Sequence, residues 1–321
     1  MTVSRPLVLV PGDEPPMIAG SKHLDRIRER ADLAFFDSCP VNDEEKIARA
    51  KDATVILNTR GIVRWPGDVL RRLPKLKLIV CCAIGFDCID MATARELGIT
   101  VCNVPGRTAT MVAEHALALL LGASRSLAWM TSEIKQGRWP GKQLLMMSGK
   151  RLGVVGTGNI GCEMIRLGKA IGMDVVAWSF NPSPEKAERH GFRYVEFDEL
   201  LATSDAVSVH LKLTAESRGL IDAAAFAKMK RGAVLVNTAR GAIVDHGAMI
   251  AALNSGQLAA AGLDVFDREP LPADDPLLAC PQVVLTSHAA DALPEAFVAL
   301  SAGGVENVLA FLDGRPMNVV S

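Results

Sequence analysis

The sequence predicts an α/β protein made of two doubly wound, parallel-sheet units, and three observations carry that expectation. At about 150 residues per domain, a chain of 321 residues favours two domains over one. Short apolar runs rich in Val, Ile or Leu alternate with polar, helix-compatible stretches, the pattern of strands buried on both faces of a parallel sheet. The alternation then starts afresh at Arg151, and its first turn is rich in glycine.

Taken in chain order, Leu7 to Val10, Thr54 to Leu57 and Leu76 to Cys82 are the first buried strands. Helical stretches at Ile18 to Arg30, Asp43 to Ala50 and Pro66 to Leu73 lie between or beside them, so residues 1–103 form one unit. Thr108 opens a run with apolar residues at Met111, Val112, Ala116, Leu119 and Leu120. Its period continues towards Met130, which predicts one long helix ended by Gly137-Arg-Trp-Pro140. The second unit follows with a strand at Leu152 to Val155, a helix over 160–171, a strand at Asp174 to Trp178 and a helix over 184–190. Further strands are expected at Ala206 to Val209, Ala233 to Val236, Ala260 to Leu263 and Val283 to Leu285, with a helical tail from Pro294 to Leu312.

Composition narrows the function classes. Lys plus Arg total 35 against 36 Asp plus Glu, a net charge of −1, so no basic excess exists to hold a nucleic-acid backbone. Hydrophobic residues at 49% are enough for sizeable cores. The seven cysteines are an odd number with no Cys-x-x-Cys pair, which reads as reduced thiols in a cytoplasmic protein without a metal site. Leu7 to Val10 before Pro11 is far short of a signal-peptide core, and the densest apolar stretch, Ala116 to Gly122, is too short to span a bilayer. No membrane partner is expected.

Gly156-Thr157-Gly158-Asn159-Ile160-Gly161 directly follows a strand and opens a helix. Glycines suit that place because the turn is tight, the backbone must approach a pyrophosphate, and helix and strand pack closely. A glycine-rich turn alone is weak evidence, but here strand, helix and second strand are in order, which favours dinucleotide binding. The acid that normally accepts the adenosine ribose hydroxyls should stand at the end of the second strand. Asp174-Val-Val-Ala-Trp178 ends instead in Ser179-Phe-Asn181, which removes both a charged acceptor for NAD and the repulsion of a 2′-phosphate. Ser179, Asn181 and Lys212 are candidates to hold NADP, which is favoured over NAD, although no Arg follows the strand.

Three polar residues each sit just beyond a buried strand of the second unit, the ligand edge of an open α/β sheet. Arg240 follows Leu235-Val-Asn-Thr-Ala239, Glu269 follows Leu263-Asp-Val-Phe266, and His288 follows Val284-Leu-Thr-Ser287. Any one alone would more often be structural. Together they supply a guanidinium fork for a carboxylate, an imidazole that passes a proton near neutral pH, and a carboxylate to raise and orient it. The set suits a hydride-transfer site for a keto or hydroxy acid.

The blocks Leu152-Gly-Val-Val-Gly-Thr-Gly-Asn-Ile-Gly161, Val236-Asn-Thr-Ala-Arg-Gly-Ala-Ile-Val-Asp245, Ala261-Gly-Leu-Asp-Val-Phe-Asp-Arg-Glu-Pro270 and Leu285-Thr-Ser-His288 occur in that order. With them the chain resembles, over essentially its whole length, the D-isomer-specific 2-hydroxyacid dehydrogenase family. The resemblance implies a Rossmann nucleotide-binding domain, residues 104–290, inserted into a flavodoxin-like substrate domain of residues 1–103 plus 291–321. It implies that Arg240 binds substrate, His288 is the general acid or base and Glu269 pairs with it. It further implies that Asp264 contacts the nicotinamide end, that His210, Thr238 and Ala239 line the cofactor with Arg240 and His288, and that backbone amides around Ala83, Ile84 and Gly85 grip the substrate carboxylate.

Departures from the family pattern are Ser287 in place of Pro, Asp291 in place of a small residue, and Lys212 where Pro usually follows His210-Leu211. His115 matches a family pattern and reads as structural, while His23, His190 and His246 read as surface residues. Met146-Met147 and Trp139 suit core packing better than a substrate pocket or dimer contact. The leading expectation is a homodimeric reductase of glyoxylate or hydroxypyruvate. A 3-phosphoglycerate dehydrogenase would need cations in the first domain, with Arg60 and Arg64 as candidates. A cofactor-sensing, corepressor-like binding protein on the same fold is the alternative outside enzymes.

Overall fold

The computed structural model describes residues 5–321. The chain divides into two compact units, the residues up to Thr108 together with Ala292–Ser321, and Ala109–Asp291.

The first unit runs β1 (Leu7–Val10), α1 (His23–Arg28), β2 (Asp32–Phe35), α2 (Asp43–Ala50), β3 (Val55–Thr59), α3 (Gly67–Leu70), β4 (Leu78–Cys82), α4 (Met91–Glu96) and β5 (Thr100–Cys102). The five strands are parallel in the order β2-β1-β3-β4-β5, the order of flavodoxin-like sheets. Alternate residues face opposite cores, as the twofold side-chain period requires. Val8, Val10, Leu57 and Val80 pack with the C-terminal helix Pro294–Leu312, whereas Leu9, Ile56, Ile79 and the fully buried Trp65 fill the other side. That C-terminal helix, rather than Ala116–Gly122, has the length and apolarity of a membrane span. Its Leu300, Val305 and Val308 are fully buried against this sheet, so it is a core helix of this unit.

The second unit opens with α5 (Ala109–Ser124) and α6 (Leu127–Lys135). The single long helix expected here is broken. Ser126 adopts a left-handed conformation, φ 49°, and the Ser124 carbonyl accepts from the Leu145 N–H at 3.0 Å instead of from the next helical turn. The apolar period runs on through the break and carries no sign of it. Then come β6 (Arg151–Val155), α7 (Asn159–Ala170), β7 (Asp174–Trp178), α8 (Pro184–His190), β8 (Arg193–Tyr194), α9 (Phe197–Thr203), β9 (Ala206–Val209), α10 (Ala223–Lys228), β10 (Ala233–Asn237), α11 (His246–Asn254), β11 (Leu258–Leu263) and β12 (Val283–Leu285). The seven parallel strands lie in the order β12-β11-β10-β9-β6-β7-β8. This is the Rossmann order extended by one strand, and strand order reverses between β6 and β9, where such sheets bind their ligands.

Candidate active site

The phosphate turn is shaped by what its glycines face. Gly156 leaves β6 with φ +102°, and its N–H donates to Trp178 O at 2.8 Å. A Cβ on Gly161 would stand 1.9 Å from the Gly156 carbonyl oxygen, so only glycine lets α7 pack on the turn. A Cβ on Gly158 would meet nothing within 4 Å. Asn159 and Gly158 are exposed, Ile160 half-buried and Thr157 buried, its hydroxyl 2.7 Å from the Tyr194 hydroxyl. Open space before the free amides of the 12-residue α7 is what a pyrophosphate needs.

Across the switch point, His210 follows β9, and its backbone N–H donates to Val155 O at 2.8 Å. The ring Nε2 lies 2.8 Å from Ser208 Oγ, and burial pushes the imidazole down to about 4, so it is neutral at physiological pH. His210 Nδ1 and, beyond β10, Thr238 Oγ1 are buried polar atoms with no hydrogen-bond partner among the described residues. Buried polar atoms are rarely left so. Together with the open glycine turn they fit a polar dinucleotide along this edge.

At the end of β7, half-buried Ser179 accepts the Asn181 N–H on its hydroxyl at 3.3 Å, closing a local turn. Asn181 and Lys212 are exposed, and the Lys212 carbonyl accepts from Ser217 Oγ at 2.7 Å. A residue that the spacing of motifs does not reveal also stands in this corner. Lys186, in the first turn of α8, donates from Nζ to Thr157 O at 3.0 Å, within the glycine turn itself. Its signal is a lysine three residues after the helix-capping Ser183, close behind the strand that lacks the ribose acid.

Three neighbouring strands, β10, β11 and β12, deliver Arg240, Glu269 and His288 to one edge of the sheet. Glu269 Oε2 lies 2.8 Å from His288 Nδ1, and Glu269 Oε1 accepts the Phe266 N–H at 2.9 Å. A carboxylate only accepts, so Nδ1 carries the proton of this bond and Nε2 is left for exchange with a ligand. The bond to Glu269 raises the His288 pKa above the ordinary histidine value against the effect of burial. Burial alone would raise the Glu269 carboxyl, yet the His288 and Phe266 bonds hold it low. The positive charge of Arg240 bears on both, lowering each.

Arg240 is held by its own loop: Nη1 donates to Ala239 O at 2.7 Å, and Asn237 Nδ2 donates to Arg240 O at 2.9 Å. Ala239 is buried there, its N–H bonded to Asn237 Oδ1. The next residue, Gly241, lies against the β11 exit, where a Cβ would stand 2.0 Å from the Phe266 carbonyl carbon. Gly241→Ala is therefore expected to force the Arg240 and Glu269 loops apart, destabilising the fold by about 1–3 kcal/mol. Urea unfolding at unchanged m-value checks this.

The resemblance implies that Asp264 contacts the nicotinamide end; its side chain is fully buried. Oδ1 accepts from Thr286 Oγ1 at 2.5 Å and Ala289 N–H at 2.8 Å, and Oδ2 from Ala290 N–H at 3.0 Å. The His288 N–H donates to Asp264 O at 2.7 Å. The carboxylate thus holds the loop that presents His288, whose φ of 53° is left-handed. His115 completes this network: since Thr286 gives its proton to Asp264, its oxygen accepts from His115 Nε2–H at 2.9 Å.

Ala83, Ile84 and Gly85 belong to the first unit, half-buried just beyond β4. There Ala83 O accepts from the Val104 N–H and Ile84 O from Asn103 Nδ2. Ser287 is exposed beside His288, and Asp291 is half-buried at the end of the second unit. His246 pairs with Asp275 at 3.0 Å. Met147 is a core residue as expected, but Trp139 at 89% and Met146 at 63% exposure are not. The segment carrying them lies outside any helix or strand.

A parallel dinucleotide sheet whose edge carries an arginine and a carboxylate-paired histidine defines a nicotinamide-dependent dehydrogenase. Residues 117–290 match the family model described as D-isomer specific 2-hydroxyacid dehydrogenase, NAD binding domain. A glyoxylate reductase of Aeropyrum pernix is 38% identical over 309 residues, covering 93% of this chain and 92% of that one. A D-3-phosphoglycerate dehydrogenase of Archaeoglobus fulgidus is 37% identical over 85% of this chain, which spans only 52% of that relative's length. The crystal structure of a glyoxylate reductase from Paecilomyes thermophila superposes with a TM-score of 0.89 at 30% identity, covering 99% of each chain. The chain belongs to the D-isomer specific 2-hydroxyacid dehydrogenase family.

Proposed function

We propose that this protein reduces a small 2-keto acid of the glyoxylate or hydroxypyruvate kind to the D-2-hydroxy acid, with NADPH preferred over NADH. The single observation that carries the reading is the Glu269–His288 pair, 2.8 Å long, under the charge of Arg240. A bound reduced dinucleotide supplies hydride-donating chemistry. Arg240 binds the substrate carboxylate and steadies the developing negative charge on the carbonyl oxygen. His288, protonated, gives its Nε2 proton to that oxygen, and Glu269 holds the ring from Nδ1 and keeps it charged. Asp264 fixes the loop that carries His288 from behind. The preference for NADPH is supported by Ser179 at the place of the ribose acid, with Asn181 beside it and Lys212 beyond β9. A homodimer is the oligomer this reading favours, supported by the exposed Leu127, Ile134, Trp139, Leu144 and Met146. Cytoplasmic residence belongs to the same reading.

The pH dependence tests the assignment. Reduction needs protonated His288, so its rate is full below the His288 pKa and falls as pH rises through it. Because Glu269 raises that pKa, Glu269→Gln is expected to move the fall to lower pH. Initial rates of keto-acid reduction against pH in both proteins measure this, and an unmoved profile would contradict the roles of Glu269 and His288.

A further inference from the structure

We infer that Lys186 is the residue through which this protein selects a dinucleotide carrying a 2′-phosphate on its adenosine ribose. The inference rests on the NADPH preference proposed above and names the group responsible. In this topology the adenosine ribose lies at the end of the second strand, here β7, against the glycine turn. Lys186 reaches that place from α8: its Nζ is 3.0 Å from the carbonyl of Thr157, the residue between Gly156 and Gly158. An ammonium has three N–H donors, and this bond uses one.

Lys46, Lys75, Lys228 and Lys230 each pair with an aspartate, but Lys186 has no ion pair among the described residues, although Glu185 and Glu188 share its helix. Arg189, one turn further along, bears with Lys186 on the Cys162 thiol in the first turn of α7, against the opposite charge of Glu163 in that same helix. From Trp178 to Lys186 the one acid is Glu185. A 2′-phosphate, doubly charged near neutral pH and rich in acceptors, suits this corner. The two ribose hydroxyls of NADH can accept from an ammonium N–H but bring no negative charge to meet it, so they gain less from it than a 2′-phosphate does.

The alternative is that Lys186 only fastens α8 to the turn. Binding of NADPH, NADH, 2′,5′-ADP and 5′-AMP to the wild type, Lys186→Met and Lys186→Arg separates the two. Titration calorimetry reads affinity without turnover, and an unchanged melting temperature shows that each variant is folded. Lys186→Met is expected to weaken NADPH and 2′,5′-ADP by about ten- to hundredfold, the range of a charge-assisted hydrogen bond, while NADH and 5′-AMP change little. Lys186→Arg is expected to keep the preference. Equal weakening of all four nucleotides, or no weakening of NADPH, would overturn the assignment while leaving the cofactor preference intact. A wild type indifferent to the 2′-phosphate would overturn assignment and preference together. A wild type that prefers 2′,5′-ADP through Lys186 but reduces no keto acid would support the assignment and sink the reductase reading alone.

Discussion

Replacing His288 by Gln is expected to lower kcat for keto-acid reduction by about 10²–10⁴-fold, the usual contribution of a positioned general acid. The dissociation constant of the reduced dinucleotide should stay near its wild-type value. Glutamine keeps a polar head of similar reach but has no proton to give at neutral pH. It meets the same left-handed backbone, φ 53°, that the histidine occupies, so the loop held by Asp264 is not asked to change. Because Glu269 acts through His288, adding Glu269→Gln to this variant should cost little more, a non-additivity expected of groups that work as a unit. Steady-state rates and dinucleotide titration of the two single variants and the double variant measure all of this. Full additivity would place Glu269 on a separate task.

Arg240→Gln is the second large expected effect. The guanidinium offers two parallel N–H donors to a carboxylate, and charge-assisted bonds of about 1.5–3 kcal/mol each imply a loss of roughly 10²–10⁴-fold in kcat/KM. The loss should appear in KM as well as kcat, since the carboxylate is held in ground and transition states alike. A change of pH dependence comes with it. The Arg240 charge lowers the His288 pKa, so its removal lets that pKa rise and carries the residual activity to higher pH. This is opposite in sign to the Glu269→Gln shift. Arg240→Lys keeps charge but not fork, and should keep the wild-type direction of the pH profile with an intermediate rate. Rate profiles across pH in the three proteins distinguish these outcomes.

Much of the second unit is legible in the sequence because its chemistry and its core are local signals. Val and Leu runs mark β6, β7, β9 and β10, each buried on both faces, and the polar residues that follow them fall at the ligand edge by topology. Three of the four edge strands are less legible. β2 has no fully buried residue, β5 has three residues and β8 two, so none carries a run long enough to show a period. The helix break at Ser126 is invisible because it is set by a tertiary bond from Leu145 to the Ser124 carbonyl, with neither glycine nor proline to announce it. Direction is the other loss. Spacing places Asp264 beside the site, but only three hydrogen bonds from Thr286, Ala289 and Ala290 reveal that its carboxylate faces inward. Likewise Lys186 is one charge among the many on exposed helices until its bond to Thr157 O puts it on the phosphate turn.

The central claim is that Arg240, Glu269 and His288 carry keto-acid reduction beside a bound nicotinamide. It is tested most directly by following oxidation of NADPH with glyoxylate or hydroxypyruvate as acceptor, wild type and His288→Gln side by side. The account predicts turnover in the wild type that almost vanishes in the variant while NADPH still binds to both. Binding of NADPH without turnover in the wild type, or turnover that survives the loss of His288, would contradict it.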